Sequence, residues 1–95
     1  MSNPINAQTA EDFLKSGFEY LVLQNYKKAI ADFTEAIRLD PRPRVADAYI
    51  GRGNAYAGEN DYEKAIADYE VALKINPNHV QANEAYETAK RAMGY

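Results

Sequence analysis

The stretch YKKAIADFTEAIRLDP (Tyr26 to Pro41) returns thirty-six residues later as YEKAIADYEVALKINP (Tyr62 to Pro77). The copies agree at Tyr, Lys, Ala-Ile-Ala-Asp, Ala and Pro, and the register extends upstream, where Ala10, Gly17 and Tyr20 recur as Ala46, Gly53 and Tyr56. Repetition at this period marks a stack of small units, each unable to bury its apolar face alone. The structure of one unit therefore decides the fold.

The second half of each unit carries Ala29, Ile30, Phe33, Ala36 and Ile37, repeated as Ala65, Ile66, Tyr69, Ala72 and Leu73. Spacings of three and four put these residues on one helical face. The first half repeats Phe13, Gly17 and Tyr20 as Tyr49, Gly53 and Tyr56, again at helical intervals. Each unit is thus two amphipathic helices. Thr9 with Asp12 three residues on reads as an N-cap, Asn25 and Asp61 precede the second helices, and Asn78 with Gln81 suggests a capping box. Pro41 and Pro77 close the second helices, because proline cannot continue the backbone ladder. These signals predict helices over residues 9–23, 26–39, 45–58, 62–75 and 79–93.

The last of these, within HVQANEAYETAKRAMGY, aligns Ala82, Tyr86, Ala89 and Met93 on one side and polar groups elsewhere. A narrow apolar stripe with a wide polar back suits the terminal cap of a solenoid. The expected organisation is one domain: an N-terminal tail (1–9), a first unit (10–43), a second unit (46–79) and a capping helix (80–95). The linker DPRPRVAD is two residues longer than a strict repeat requires, and Pro43 stiffens it.

Composition narrows the function classes. The 95 residues carry a net charge of -3, and no basic block exceeds the pair Lys27 and Lys28 or the spaced Arg42 and Arg44, which disfavours nucleic acid as a partner. With no cysteine there is no disulfide and no thiolate chemistry, as suits a reducing compartment. The start, MSNPINAQTAED, has neither the basic nor the apolar region of a secretory signal, and no apolar run approaches the roughly 18 residues that span a bilayer. The expectation is a cytoplasmic chain, or an excerpt of a larger cytoplasmic protein, with no membrane partner.

Chemistry is sparse. His79 is the single histidine and lacks a second metal-ligating neighbour, so a first-turn or loop histidine is expected and no metal site. No nucleophile, base and acid are spaced as a catalytic set, and the glycines stand singly with no phosphate-cradling loop. We expect no enzyme and no cofactor. Lys28 with Asp32, and Lys64 with Asp68, sit four residues apart on one face and read as solvated ion pairs.

The pattern resembles the tetratricopeptide repeat, a helix-turn-helix unit whose marks are a bulky residue, a small one, an aromatic, an alanine, an aromatic, an alanine and a closing proline. In the first unit these fall on Phe13, Gly17, Tyr20, Tyr26, Ala29, Phe33, Ala36 and Pro41; in the second, on Tyr49, Gly53, Tyr56, Tyr62, Ala65, Tyr69, Ala72 and Pro77. Eight of the chain's eleven aromatics occupy such positions, leaving Phe18, Tyr86 and Tyr95, of which only Phe18 lacks a structural role in the pattern. The resemblance implies an all-α, right-handed superhelical solenoid of antiparallel helix pairs with five helices. It also implies a protein-interaction scaffold whose concave surface is lined by the first helix of each unit.

Some members grip the acidic tail of heat-shock chaperones with a carboxylate clamp of lysines and asparagines. Here the clamp's first lysine and asparagine would fall on Leu14 and Phe18, and its middle asparagine on Gly51, so that role is disfavoured. In its place stands an apolar strip: Leu14, Phe18 and Leu21 along the first helix, with Ile50 and Asn54 on the neighbouring one. These five form the expected groove for an apolar or amphipathic segment of a protein or peptide, with Asn54 bonding its backbone and Glu11, Asp47 and Glu84 favouring a basic flank. Two other covers fit the strip: the chain's own tail with Pro4 and Ile5, or a second copy in a homo-oligomer. Two repeats are fewer than solenoids usually need, so a self-associating block or a piece of a longer array is the alternative reading.

Overall fold

The computed structural model describes residues 9–40 and 46–94. The expectations for the tail, for Pro41, for the linker around Pro43 and for Tyr95 lie outside the described residues. Five helices follow one another: α1 (Ala10–Val22), α2 (Tyr26–Leu39), α3 (Ala46–Gly58), α4 (Tyr62–Ile75) and α5 (Val80–Ala92), with no strand among the described residues. Wherever the sequence-based boundaries fall on described residues, they lie within one residue of these ends.

The helix starts follow from local chemistry. At Thr9 the capping box is complete: the Asp12 amide donates to Thr9 Oγ1 at 3.2 Å, and the Thr9 amide donates to Asp12 Oδ2 at 3.0 Å. Asn25 and Asp61 cap α2 and α4 by accepting from the Lys28 and Lys64 amides. The capping box expected at Asn78 and Gln81 is corrected. Helix α5 begins one residue later, so His79 takes the cap position and its Nδ1 accepts the Ala82 amide at 3.2 Å. A neutral imidazole with its proton on Nε2 provides that acceptor.

Consecutive helices pack as antiparallel neighbours, while α1 meets α3 and α3 meets α5 directly. The odd-numbered helices therefore make one layer and α2 and α4 the other. Phe33 and Tyr69 are the largest fully buried side chains, one for each unit. Phe33 wedges between α1 and α3 because Gly17 and Gly51 leave it room: a Cβ at those positions would lie 2.8 Å and 2.4 Å from its ring. Ala29, Ala36, Ala48 and Ala55 complete that cluster, and Tyr69 with Ala65 and Ala89 forms its counterpart against α5. On the capping helix, Ala82 and Ala89 are buried and Tyr86 is half-buried, but Met93 is exposed and does not join the stripe expected of it.

The expected Lys–Asp pairs are also corrected. Asp68 is 5% exposed and faces α3, where Arg52 grips it with two bonds of 2.9 Å from Nε and Nη2. The remaining Arg52 nitrogen reaches Thr34 Oγ1 on α2 at 3.1 Å, joining three helices. At the equivalent place in the first unit, the Ser16 hydroxyl donates to Asp32 at 2.6 Å. The lysines instead lie over tyrosines, Lys28 at 5.5 Å from the Tyr20 ring centre and Lys64 at 5.5 Å from that of Tyr56. The aspartates point between helices rather than along their own, so the i, i+4 spacing misassigns their partners.

Candidate functional site

The layer of α1, α3 and α5 repeats its positions across the fold. Equivalent residues in the three helices are Leu14, Ile50 and Glu84 in one row and Phe18, Asn54 and Thr88 in the next. These rows are where a segment lying across the stack would meet the protein.

The five residues expected to form the site take different positions. Leu14 and Leu21 are half-buried and pack against the cluster around Phe33. Phe18 is 37% exposed, its ring edge-on to Phe33 with centroids 4.9 Å apart and planes at 75°. Ile50 is 7% exposed and packs with Ala72 and Ala82, so it offers a ligand little surface. Asn54 is exposed, and its Oδ1 accepts a hydrogen bond from the Tyr69 hydroxyl.

Thus Leu14, Phe18 and Leu21 share one face of α1, Asn54 lies in a separate recess on α3, and Ile50 sits beneath. The recess is an open groove of about 340 Å³ between α3 and α5, with Tyr62 and Tyr69 of α4 at its floor. Asn54 and Ala57 line one wall and Gln81, Glu84, Ala85 and Thr88 the other. Glu84 and Thr88 also border a second open recess of about 500 Å³ along α5, with Asn83, Glu87 and Arg91. Sequence reasoning did not place Tyr62, Tyr69 or Thr88 at a site, because the repeat pattern assigns both tyrosines wholly to the core. It also missed Val22 and Leu23, the most exposed large apolar side chains of the first unit at 82% and 72%.

The electrostatics separate structural charges from available ones. Burial, reinforced by the nearby Asp68 carboxylate, pushes the Tyr69 phenol up to about 12, which keeps it a neutral donor to Asn54. The Asp68 hydrogen bonds raise the Arg52 guanidinium above its ordinary value, so this cation is committed to the fold. Glu84 and Glu87 have no ion-pair partner among the described residues, nor has Lys15 on α1. No group of three or more metal-ligating side chains is placed to hold an ion among the described residues. No helix there is long and apolar enough to cross a membrane.

The profile of a family described as tetratricopeptide repeat matches residues 14–80. Among solved structures, the TPR domain of Arabidopsis OM64 superposes with a TM-score of 0.84 at 27% identity, over 90% of this chain and 69% of that one. The first TPR of Spaghetti (RPAP3), bound to the HSP90 peptide SRMEEVD, superposes with a TM-score of 0.52 at 21% identity, over 97% of this chain and 100% of that one. No curated protein matches in sequence.

Proposed function

The chain belongs to the tetratricopeptide repeat family, an all-α solenoid fold of protein-interaction modules, and from that premise we propose that it binds an extended segment of a protein partner across α1, α3 and α5. The observation that carries this reading is the open α3–α5 groove. Tyrosine and alanine form its apolar surfaces, while the Asn54 and Gln81 amides and the Thr88 hydroxyl can bond a backbone passing over them. Residues 10–43 and 46–79 act as the two units and 80–95 as the cap. Phe18, Leu14 and Leu21 extend the surface as an apolar shoulder and Asn54 supplies polar contacts, whereas Ile50 supports α3 from below. With only 37% of Phe18 left to cover, its burial contributes about 0.5 to 1 kcal/mol, so it assists an anchor elsewhere in the segment.

A domain of the same fold holds SRMEEVD in the Spaghetti structure. That acidic peptide is not the ligand we propose here, because Leu14, Phe18 and Gly51 stand where a carboxylate clamp needs lysine and asparagine. The cytoplasmic location expected from the sequence remains part of the proposal, as does the absence of an enzymatic role.

The test is selection of binding peptides from a random display library on the immobilised chain, followed by Thr88→Arg and Phe18→Glu. Thr88→Arg should weaken the selected peptides at least about tenfold and Phe18→Glu about three- to fivefold, with helical circular dichroism retained in both. Binding that neither substitution changes would place the interaction on another surface.

A further inference from the structure

The two ends of the α1–α3–α5 layer differ in chemistry although they occupy equivalent positions. At α1, exposed Phe18 and half-buried Leu21 offer apolar surface, and the exposed charged side chains of that helix are Glu11, Asp12, Lys15 and Glu19. On α5, Thr88 and Arg91 stand at the positions of Phe18 and Leu21, and the same helix carries Glu84 and Glu87, neither with an ion-pair partner among the described residues; Glu84 borders both recesses. Arg91 stands two turns beyond Glu84, with its guanidinium at the Thr88 hydroxyl. Across the layer the surface passes from the apolar pair on α1 to the polar recess that Glu84 borders on α5.

We propose that the layer fixes the orientation of its ligand, laying an apolar residue on Phe18 and Leu21 and a lysine or arginine against Glu84, so that the partner is an amphipathic segment with a basic end. This rests on the groove-binding reading above and adds the charge and spacing of the ligand. Adjacent helix axes lie about 8 to 10 Å apart, so the two contacts are about 16 to 20 Å apart. An extended chain rises about 3.3 Å per residue, which puts the apolar and basic residues about five or six positions apart. The net charge of -3 favours approach of a cationic segment over long range. The chain's own tail fits poorly as occupant, because MSNPINAQ contains no lysine or arginine for Glu84.

The experiment measures fluorescence anisotropy for labelled peptides of about ten residues, each with one Phe and one Lys in a Ser-Ala background and one to seven residues between them. Controls carry Glu for Lys or Ala for Phe. The full chain should bind best at separations of about five or six, and the Lys-to-Glu control should weaken binding about three- to tenfold at low salt. The double variant Glu84→Gln, Glu87→Gln should erase that difference and leave the Phe dependence intact. Wild-type binding indifferent to the Lys-to-Glu exchange, or a preference that survives the double variant, would overturn the charge assignment. If Phe peptides still bind and lose affinity with Phe18→Glu, the groove reading stands without it. Peptides no better than the Phe-free controls would remove both readings, and sedimentation showing a dimer that Phe18→Glu dissociates would assign the apolar end to a second copy.

Discussion

Phe18 and Asn54 occupy one position of successive units, and each is matched to the aromatic beneath it. Phe33 has no hydroxyl and takes the ring of Phe18 against its face or edge; Tyr69 has one and gives it to Asn54. The pairs are alternative solutions to the same packing problem, one apolar and one hydrogen-bonded. Phe33→Tyr alone places a hydroxyl in a fully buried site without its acceptor and should cost about 1 to 3 kcal/mol by urea unfolding. Adding Phe18→Asn should recover at least about 1 kcal/mol in the double-mutant cycle, and strict additivity would contradict the pairing. The raised Tyr69 phenol has a pH signature. The folded value of about 12 exceeds the ordinary 10.0, so the neutral phenol's contribution is complete below pH 10 and is lost as pH rises toward about 12. Thermal melts should therefore show Tyr69→Phe losing less stability than wild type between about pH 9 and about pH 11.5. Taken position by position the repeat leaves Phe18 unexplained; its signal in the sequence is the joint exchange of Phe18 with Asn54 and Phe33 with Tyr69.

At the scale of the element, the α1–α2 and α3–α4 turns are built alike. Gln24 and Asn60 hold left-handed conformations, φ 60° and 64°, and the following amides of Asn25 and Asp61 return to the Tyr20 and Tyr56 carbonyls. This is the Schellman closure, for which glycine is the least strained residue. Gln24→Gly should stabilise the fold by about 0.5 to 1 kcal/mol, measured by chemical denaturation, whereas the same change at Asn60 should gain less because asparagine tolerates this region better. The helix pairs were legible in the sequence because small residues, aromatics and caps repeat with the helical period. Two end effects were not. His79 caps α5 because the helix starts one residue after the Asn78 signal, and Met93 falls just past the last helical residue, where it stays 41% exposed.

At the scale of the molecule, Arg52 ties α3 to Asp68 on α4 and Thr34 on α2, while the equivalent Ser16 makes only the shorter link to Asp32. Arg52 is therefore committed to the fold, while Glu84, Glu87 and Arg91 of the same layer border the open recesses. The α1 part of the candidate site could be read from apolar spacing, since Leu14, Phe18 and Leu21 share a face. The groove could not, because Tyr62 and Tyr69 are core residues by pattern and only the packing of α5 against α4 leaves their edges at a recess. On the proposed function, it is this inner layer of α1, α3 and α5 that receives the partner. The most direct test is a two-dimensional amide NMR titration of the labelled chain with a display-selected peptide. The largest shifts should fall at Phe18, Asn54, Ala57, Glu84 and Thr88, whereas perturbations confined to the outer faces of α2 and α4 would place the partner on the other layer.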